Sequence, residues 1–306
     1  MRITLGMSTD ETLLNLNDQQ DQINTLSQQI SSGKQLNAAS DNPYSWSQAM
    51  NTTQTLREYN SFLSNVNFAT GWGNATESAL SQFSTLLTQA KSVAESATSA
   101  VGQSQSATFA SEAGGILQQA MVLANAQYNG QYIFSGTATD TQPFSMDSTT
   151  GDVTYNGNSS AIGVKTSVSG VSGGGTTAVN LAGDAVFGGS TTTAGGSNML
   201  KDIYDLQQAL SSGDSAQIGN SFTTLGNDFN QVNNQLTTIG TTMSGLTNQQ
   251  TALNTMLTNE KGVLSNYQDT DVAAATVKLS TAQTAFQAAL QVTTLLDKLN
   301  LASIIS

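Results

Sequence analysis

The sequence predicts a mainly α-helical fold with a small β-rich insert, in which long antiparallel helices pack as in a coiled coil and form an elongated rod. Only two of the 306 residues are proline, and an interior proline costs a helix about 3 kcal/mol or more, so very long helices are permitted. Apolar residues recur every 3.5 positions over long stretches, which is the spacing of a coiled-coil seam. Twelve of the 27 glycines fall between residues 140 and 197, where the helical pattern stops.

Both ends of the chain are amphipathic. The apolar stripe near the start includes Leu13, Leu16, Ile23 and Ile30, and a similar stripe runs from Val272 toward the C-terminus. An amphipathic helix needs a partner that covers its apolar face. The simplest partner for each end is the other end, so we predict that the N- and C-terminal helices pair.

Local signals give helix boundaries near residue 40. Gly33 suits the left-handed residue that ends a helix, and Asn42-Pro43 combines an N-cap with proline at the first helical position. A further break is expected near Gly102.

The longest seam runs from Phe222 to Tyr267, and only Gln250 and Glu260 interrupt its apolar pattern. At 1.5 Å per residue this stretch predicts a helix of roughly 70 Å. Matching seams lie between residues 62 and 123, so three antiparallel helices can bury their apolar faces together. The predicted rod core consists of Leu80, Phe83, Leu87, Phe229, Leu236, Ile239, Leu246 and Leu253.

The insert begins after "NGQYIFSG", residues 129–136. We predict that the helix before the insert ends at Asn129-Gly130, and that the helix after the insert begins after about Asn198. Between them, Phe144-Ser145-Met146 and Val153-Thr154-Tyr155 flank a turn at Thr150-Gly151-Asp152, which is typical of a hairpin.

These patterns divide the chain into three domains, two of them discontinuous. Residues 1–40 and 272–306 form the terminal helical pair, residues 41–139 and 198–271 form the rod, and residues 140–197 form the β-rich outer insert.

Composition excludes several classes of function. A net charge of −12 repels a phosphate backbone, so no nucleic-acid partner is expected. Histidine and cysteine are absent, which removes Ser-His-Asp and Cys-His catalysis, the usual zinc sites and disulfides. No stretch reaches the roughly 18 apolar residues that span a bilayer, and no cleaved signal peptide is predicted. We therefore predict a protein that is not an enzyme and has no cofactor, metal or membrane insertion.

Two parts of the sequence contain residues that could carry chemistry. Ser32-Gly33-Lys34 lacks the glycine and the hydroxyl residue that a phosphate loop needs around it. The insert carboxylates leave open an enzyme or glycan-binding module as a remote alternative. They are Asp140, Asp147, Asp152 and Asp184.

Three segments carry a resemblance to a known family. "LSQQISSGKQLNAASDNPYSWSQ", residues 26–48, resembles the N-terminal signature of bacterial flagellins and hook-associated proteins. "NGQYIFSGTATDTQPF", residues 129–144, is similar to the hook-filament junction proteins of this superfamily, as are Pro43 and "GDAVFGG" at residues 183–189. The last segment, residues 281–305, is similar to the terminal helix of both groups.

The resemblance implies a structural adaptor at the hook-filament junction of the bacterial flagellum. It implies self-association in a ring, contact with a neighbouring hook-associated protein and with flagellin, and a cytosolic export chaperone on the C-terminal helix. Export through the flagellar type III apparatus would give an extracellular location. A flagellin that forms the filament itself is the main alternative, and composition also permits a secreted effector, for which the chain has no motif. The predicted assembly interface consists of Leu13, Leu16, Ile23, Ile30, Leu279, Phe286, Leu290 and Leu296.

Overall fold

The computed structural model describes residues 5–99, 104–167, 175–191 and 197–305, with side chains described from residue 10 to residue 295 within these ranges. Contacts group the chain into two compact units. The first unit contains Met1–Glu58 and Met256–Ser306, and the second contains Tyr59–Thr255. The insert therefore belongs to the same unit as the helices around it, and the division into three domains stays a prediction.

Long helices and short hairpins make up the described chain. The helices are α1 (Leu5–Ser32), α2 (Pro43–Ala97), α3 (Ser106–Ala124), α4 (Gly183–Phe187), α5 (Met199–Ser212), α6 (Ser215–Gln268) and α7 (Val272–Ile305). The strands are β1 (Gln127–Tyr128), β2 (Gln131–Tyr132), β3 (Phe144–Met146), β4 (Val153–Tyr155), β5 (Gly163–Lys165) and β6 (Thr176–Ala178). Each odd strand pairs antiparallel with the next, giving three separate hairpins. The prediction of a mainly α-helical fold with long helices and a small β-rich insert is confirmed.

In the first unit α1 packs against α7, so the predicted pairing of the chain ends is confirmed. The loop after α1 joins this pair to the end of α6. Gly33 has a φ of 69°, as expected for the residue that ends the helix. The backbone N–H of Gln35 donates to the carbonyl of Gln268 at 2.8 Å, and that of Thr270 donates to the carbonyl of Gly33 at 3.0 Å.

The same loop also sets the start of α2. Asp41 accepts hydrogen bonds at 2.9 Å from the backbone N–H groups of Ala38 and Asn37, and these bonds lower the pKa of its carboxyl. The side-chain oxygen of Asn42 accepts from the backbone N–H of Ser45 at 3.0 Å. Since α2 begins at Pro43, the predicted cap and helix start are confirmed.

The core of the second unit is shared by α2, α3, α5, α6 and the insert. The predicted rod-core residues Leu80, Phe83, Leu87, Ile239, Leu246 and Leu253 are buried, and Phe229 and Leu236 are half-buried. The break expected near Gly102 lies outside the described residues.

The helix before the insert ends earlier than predicted. α3 ends at Ala124, and Asn129-Gly130 forms the turn between β1 and β2 instead of ending the helix. Asn129 and Gly130 have φ values of 51° and 79°, the two positive angles that a type I′ hairpin turn requires. An Asn-Gly pair suits both a helix end and this turn, so the prediction was wrong at this position.

Two helices, α5 and α6, follow the insert, whereas one was predicted. Asn198 caps α5, because its side-chain oxygen accepts from the backbone N–H of Leu200 at 2.9 Å. Gly213, with a φ of 69°, ends α5. Asp214 then accepts from the backbone N–H groups of Ala216 and Gln217 at the start of α6. A left-handed glycine between two caps separates the helices.

The insert contributes an aromatic cluster to the core. The ring of Phe187 lies edge-on to those of Phe83, Phe134 and Phe144, with centroid distances of 4.8, 4.9 and 5.5 Å. The predicted β3–β4 hairpin, which supplies Phe144, is confirmed. Phe134 and Phe144 belong to the segment of residues 129–144, and Phe187 belongs to the segment of residues 183–189. These two segments, which carry the family resemblance, thus meet in the cluster.

The β5–β6 hairpin lies against the helices. Ile162 and Val164 pack on a cluster that contains Phe62 and Leu246. The side chain of Gln249 also donates to the carbonyl of Thr166 at 3.1 Å. Residues 168–174, between β5 and β6, lie outside the described residues.

Trp72, for which the sequence offered no role, is fully buried in the core. Its two flanking glycines make room for other side chains. A Cβ on Gly71 would lie 2.1 Å from the hydroxyl of Tyr128, and one on Gly73 would lie 2.1 Å from the sulfur of Met243. The Gly-Trp-Gly triplet is therefore a packing feature of α2.

We expect Gly136→Ala to lower the free energy of unfolding by about 2–4 kcal/mol. Gly136 has a φ of 70°, and a Cβ there would lie 1.9 Å from the backbone oxygen of Asn158. Urea unfolding followed by circular dichroism measures the effect. Gly130→Ala is the matched control, because Gly130 also has a positive φ but open space around the added Cβ. If Gly136→Ala and Gly130→Ala lowered the free energy of unfolding equally, the close approach of residue 136 to the backbone of Asn158 would not be the cause of the loss.

Candidate assembly surface

The candidate site lies on the α1–α7 pair. Along α1, residues that are buried or half-buried recur every three or four positions, at Leu16, Gln19, Ile23, Leu26 and Ile30. Such positions share one face of a helix. α7 has the same spacing in Ala275, Leu279, Ala282, Phe286 and Ala289. Because α1 and α7 contact each other, each of these faces is covered in part by the other helix.

The predicted interface residues divide into two groups. The half-buried ones are Leu16, Ile23, Ile30, Leu279 and Phe286. Leu13 and Leu290 are exposed, with 51% and 43% of their surface accessible, and Leu296 lies outside the residues whose side chains are described. A single seam was predicted to serve both the pairing of the ends and assembly. In the structure only Leu13 and Leu290 of the described set are largely free for a further partner.

Val272, which begins the predicted stripe on α7, is also exposed. Four more exposed apolar side chains on these helices were not predicted. They are Leu14, Val277, Val292 and Leu295. All four lie off the seam of period 3.5. Val292 and Leu295 are three residues apart and therefore share one face of α7, and this spacing could have indicated a second apolar stripe. We call the six exposed residues Leu13, Leu14, Val277, Leu290, Val292 and Leu295 the terminal apolar surface.

A groove of about 460 Å³ lies between α1 and α7. Its walls include Leu16 and Gln19 of α1 and Ala289 and Val292 of α7. The side-chain oxygen of Gln19 is buried and has no hydrogen-bond partner among the described residues. The groove thus combines apolar side chains with a buried side-chain oxygen that has no partner among the described residues.

Charge on this unit is uneven. Asp10, Glu11, Asp18 and Asp21 are all exposed on α1, and no lysine or arginine occurs between residues 5 and 32. Two copies that approach through α1 would therefore repel each other, and salt would screen this repulsion over about 10 Å at 0.1 M. Apolar contact between two α1 helices would have to outweigh this repulsion.

Two of the insert carboxylates, Asp147 and Asp184, accept local hydrogen bonds. Asp147 accepts from the backbone N–H groups of Thr149 and Thr150 in the β3–β4 turn, which lowers the pKa of its carboxyl. Asp184 accepts a hydrogen bond from Ser159. Among the described residues, no group of three or more acidic side chains is placed to hold a metal ion. The helices in the described part of the chain are also too polar or too short to cross a membrane.

The fold and this site define a class of long-helix proteins whose two chain ends pair in one unit and leave apolar side chains exposed. The family model of the bacterial flagellin N-terminal helical region matches residues 3–139. The model of the flagellin C-terminal helical region matches residues 222–305. Together the two models cover more than half of the chain, and the chain belongs to the bacterial flagellin family.

Individual relatives are similar over part of their length. The chain is 31% identical over 146 residues to flagellar hook-associated protein 3 of Salmonella typhimurium, matching 47% of this chain and 46% of that protein. It is 29% identical over 149 residues to the protein of the same name in Escherichia coli, matching 48% and 47%. The matches thus span about half the length of each relative. The crystal structure of Xanthomonas campestris FlgL shares the fold with a TM-score of 0.60 at 16% identity, covering 70% of this chain and 99% of that one.

Proposed function

We propose that this chain is a structural subunit of the bacterial flagellum that connects the hook-associated ring to the flagellin filament. The terminal apolar surface carries this proposal, because it exposes large apolar side chains on the helices that both family models match. The names of the curated relatives support the place in the flagellum. The subunit would be extracellular and would have no enzymatic role.

Assembly would bury the terminal apolar surface against neighbouring subunits. Leu14 and Val277 expose 65% and 67% of their surface, and a fully buried side chain of this size contributes roughly 1.5–3 kcal/mol. Copies of the chain would associate in a ring, with a hook-associated protein on one side and flagellin on the other. The exposed stripe on α7 also gives a cytosolic export chaperone an apolar helix face to cover before secretion.

Deletion of the gene tests the proposal, with electron microscopy of the cells and a blot of the culture medium for flagellin. We expect hooks without filaments and flagellin monomers in the medium, because flagellin is exported but has no junction to grow from. A plasmid copy of the gene should restore filaments. Hooks without filaments and without flagellin in the medium would instead identify this chain as the filament subunit. Normal filaments would contradict both functions.

A further inference from the structure

Two Asn-Gly pairs occur in the sequence, and the structure gives them different surroundings. They are Asn129-Gly130 and Asn156-Gly157. Asparagine is a chemically labile residue, and its side-chain amide is most open to attack when glycine follows, because glycine has no Cβ beside the attacking backbone nitrogen. Since the two pairs are identical in sequence, a difference in their reactivity reports on structure.

The first pair is loosely held. Asn129 and Gly130 are both exposed and form the turn between β1 and β2. Among the described residues the side chain of Asn129 has no hydrogen-bond partner, and an added Cβ on Gly130 would have no contact within 4 Å. Only two residue pairs form the β1–β2 ladder, and short two-stranded hairpins are marginally stable by themselves. Local opening of this turn therefore requires little free energy.

The second pair is held on both sides. The backbone N–H of Asn156 donates to the carbonyl of Pro143 at 2.8 Å, and that of Asn158 donates to the carbonyl of Ser135 at 3.1 Å. The side chain of Asn156 also donates to Ser145 at 3.3 Å. An added Cβ on Gly157 would lie 2.5 Å from the hydroxyl of Tyr155. Rotation of this peptide unit would break several of these contacts.

The reaction open to an Asn-Gly pair consumes one water and releases one ammonia. The backbone nitrogen of Gly130 loses its proton to solvent and attacks Cγ of Asn129, the bond from Cγ to the side-chain nitrogen breaks, and that nitrogen leaves as ammonia. Water then opens the resulting succinimide ring. Attack of water at Cγ gives aspartate, whereas attack at the backbone carbonyl carbon gives isoaspartate, whose main chain runs through Cβ and Cγ.

We propose that Asn129 is a site of spontaneous modification, at which the amide converts through a succinimide to aspartate and isoaspartate, and that the isoaspartate product opens the β1–β2 turn. Isoaspartate lengthens the main chain within a two-residue turn, whose geometry requires two successive residues of positive φ. Tyr128, directly before the turn, packs edge-on against buried Trp72 at a centroid distance of 6.2 Å. The modification would thus act at the edge of the core of the second unit, and it is independent of the role proposed for the terminal helices.

Peptide mapping by mass spectrometry tests the modification. The purified full chain is incubated at mildly alkaline pH and sampled over days, with an unincubated sample as the reference for changes during digestion. We expect the amide of Asn129 to be lost about tenfold or more faster than that of Asn156, because the hydrogen bonds around Asn156 have to break before the attack. Equal rates at the two asparagines would refute the proposal, since the chemistry would then follow the sequence alone.

A variant of the attacking residue tests the chemical route. Gly130→Ala places a Cβ beside the attacking nitrogen, and it should slow the loss at residue 129 while the loss at Asn156 stays unchanged. An unchanged rate at Asn129 in this variant would refute attack by the nitrogen of residue 130.

Hydrogen exchange tests the opening of the turn. The backbone N–H of Ile133 donates to the carbonyl of Ala126 at 3.1 Å, and its exchange should be faster in the incubated chain than in the fresh chain. Asn129→Gly is the matched control, because glycine also suits the positive φ of the turn but carries no amide. If Ile133 exchanges equally in the incubated wild-type chain and the incubated Asn129→Gly chain, the product does not open the turn and the proposal is refuted.

Discussion

Replacement of Phe187 by alanine is expected to lower the free energy of unfolding by about 3–5 kcal/mol, the range found when a buried phenylalanine is truncated in a tight core. Phe187 is 1% exposed and contacts Phe83, Phe134 and Phe144 edge-on. Truncation would leave a cavity and would also remove three aromatic pairs, each worth about 0.5–1.5 kcal/mol beyond area burial. The loss is therefore expected at the upper end of the range.

Urea unfolding followed by tryptophan fluorescence measures this loss, because buried Trp72 lies in the same core. Phe187→Leu keeps most of the volume and should cost less than the alanine variant. Phe222→Ala is a control for aromatic truncation at a more exposed position, since 37% of Phe222 is accessible. A loss for Phe187→Ala no greater than that for Phe222→Ala would show that the cluster does not hold the insert to the helices.

The double variant Leu14→Asp, Val277→Asp is expected to abolish incorporation into the flagellum. Loss of two buried apolar contacts of roughly 1.5–3 kcal/mol each weakens association about 10²–10⁴-fold per interface. Introduced carboxylates add to this, because their desolvation is unfavourable and α1 already carries four exposed acidic residues. The unit of residues 59–255 does not contain either position, so its unfolding should be unchanged.

Expression of the variant in a strain that lacks the gene provides the measurement. Filaments are counted by electron microscopy, and a blot of the medium for the variant itself shows that it was exported. Gln20→Asp with Gln283→Asp places the same charges at exposed polar positions of α1 and α7 and should assemble. Normal filaments with the Leu14→Asp, Val277→Asp variant would exclude the terminal apolar surface as an interface. Failure of the glutamine control as well would assign the effect to charge alone.

The sequence predicted part of the candidate site and missed the rest for a geometric reason. Apolar residues at a period of 3.5 locate the faces through which two helices contact each other. This pattern correctly predicted that the N- and C-terminal helices pair. It does not show which apolar residues remain exposed once that pair has formed. Leu14 and Val277 lie off the seam, so only the packed pair of helices distinguishes them from ordinary surface residues.

The sequence by itself determined the long helices, the start of α2 at Pro43, the β3–β4 hairpin and the pairing of the two ends. These depend on periodicity and on caps, which act between residues close in the chain or along a whole helix. Tertiary structure alone decided three other features. It made Asn129-Gly130 a hairpin turn, brought Phe83, Phe134, Phe144 and Phe187 together, and buried Asp228 without a partner. The second and third depend on contacts between segments distant in sequence, whose energies no local pattern records, and the first is a choice between two structures that the same Asn-Gly pair suits.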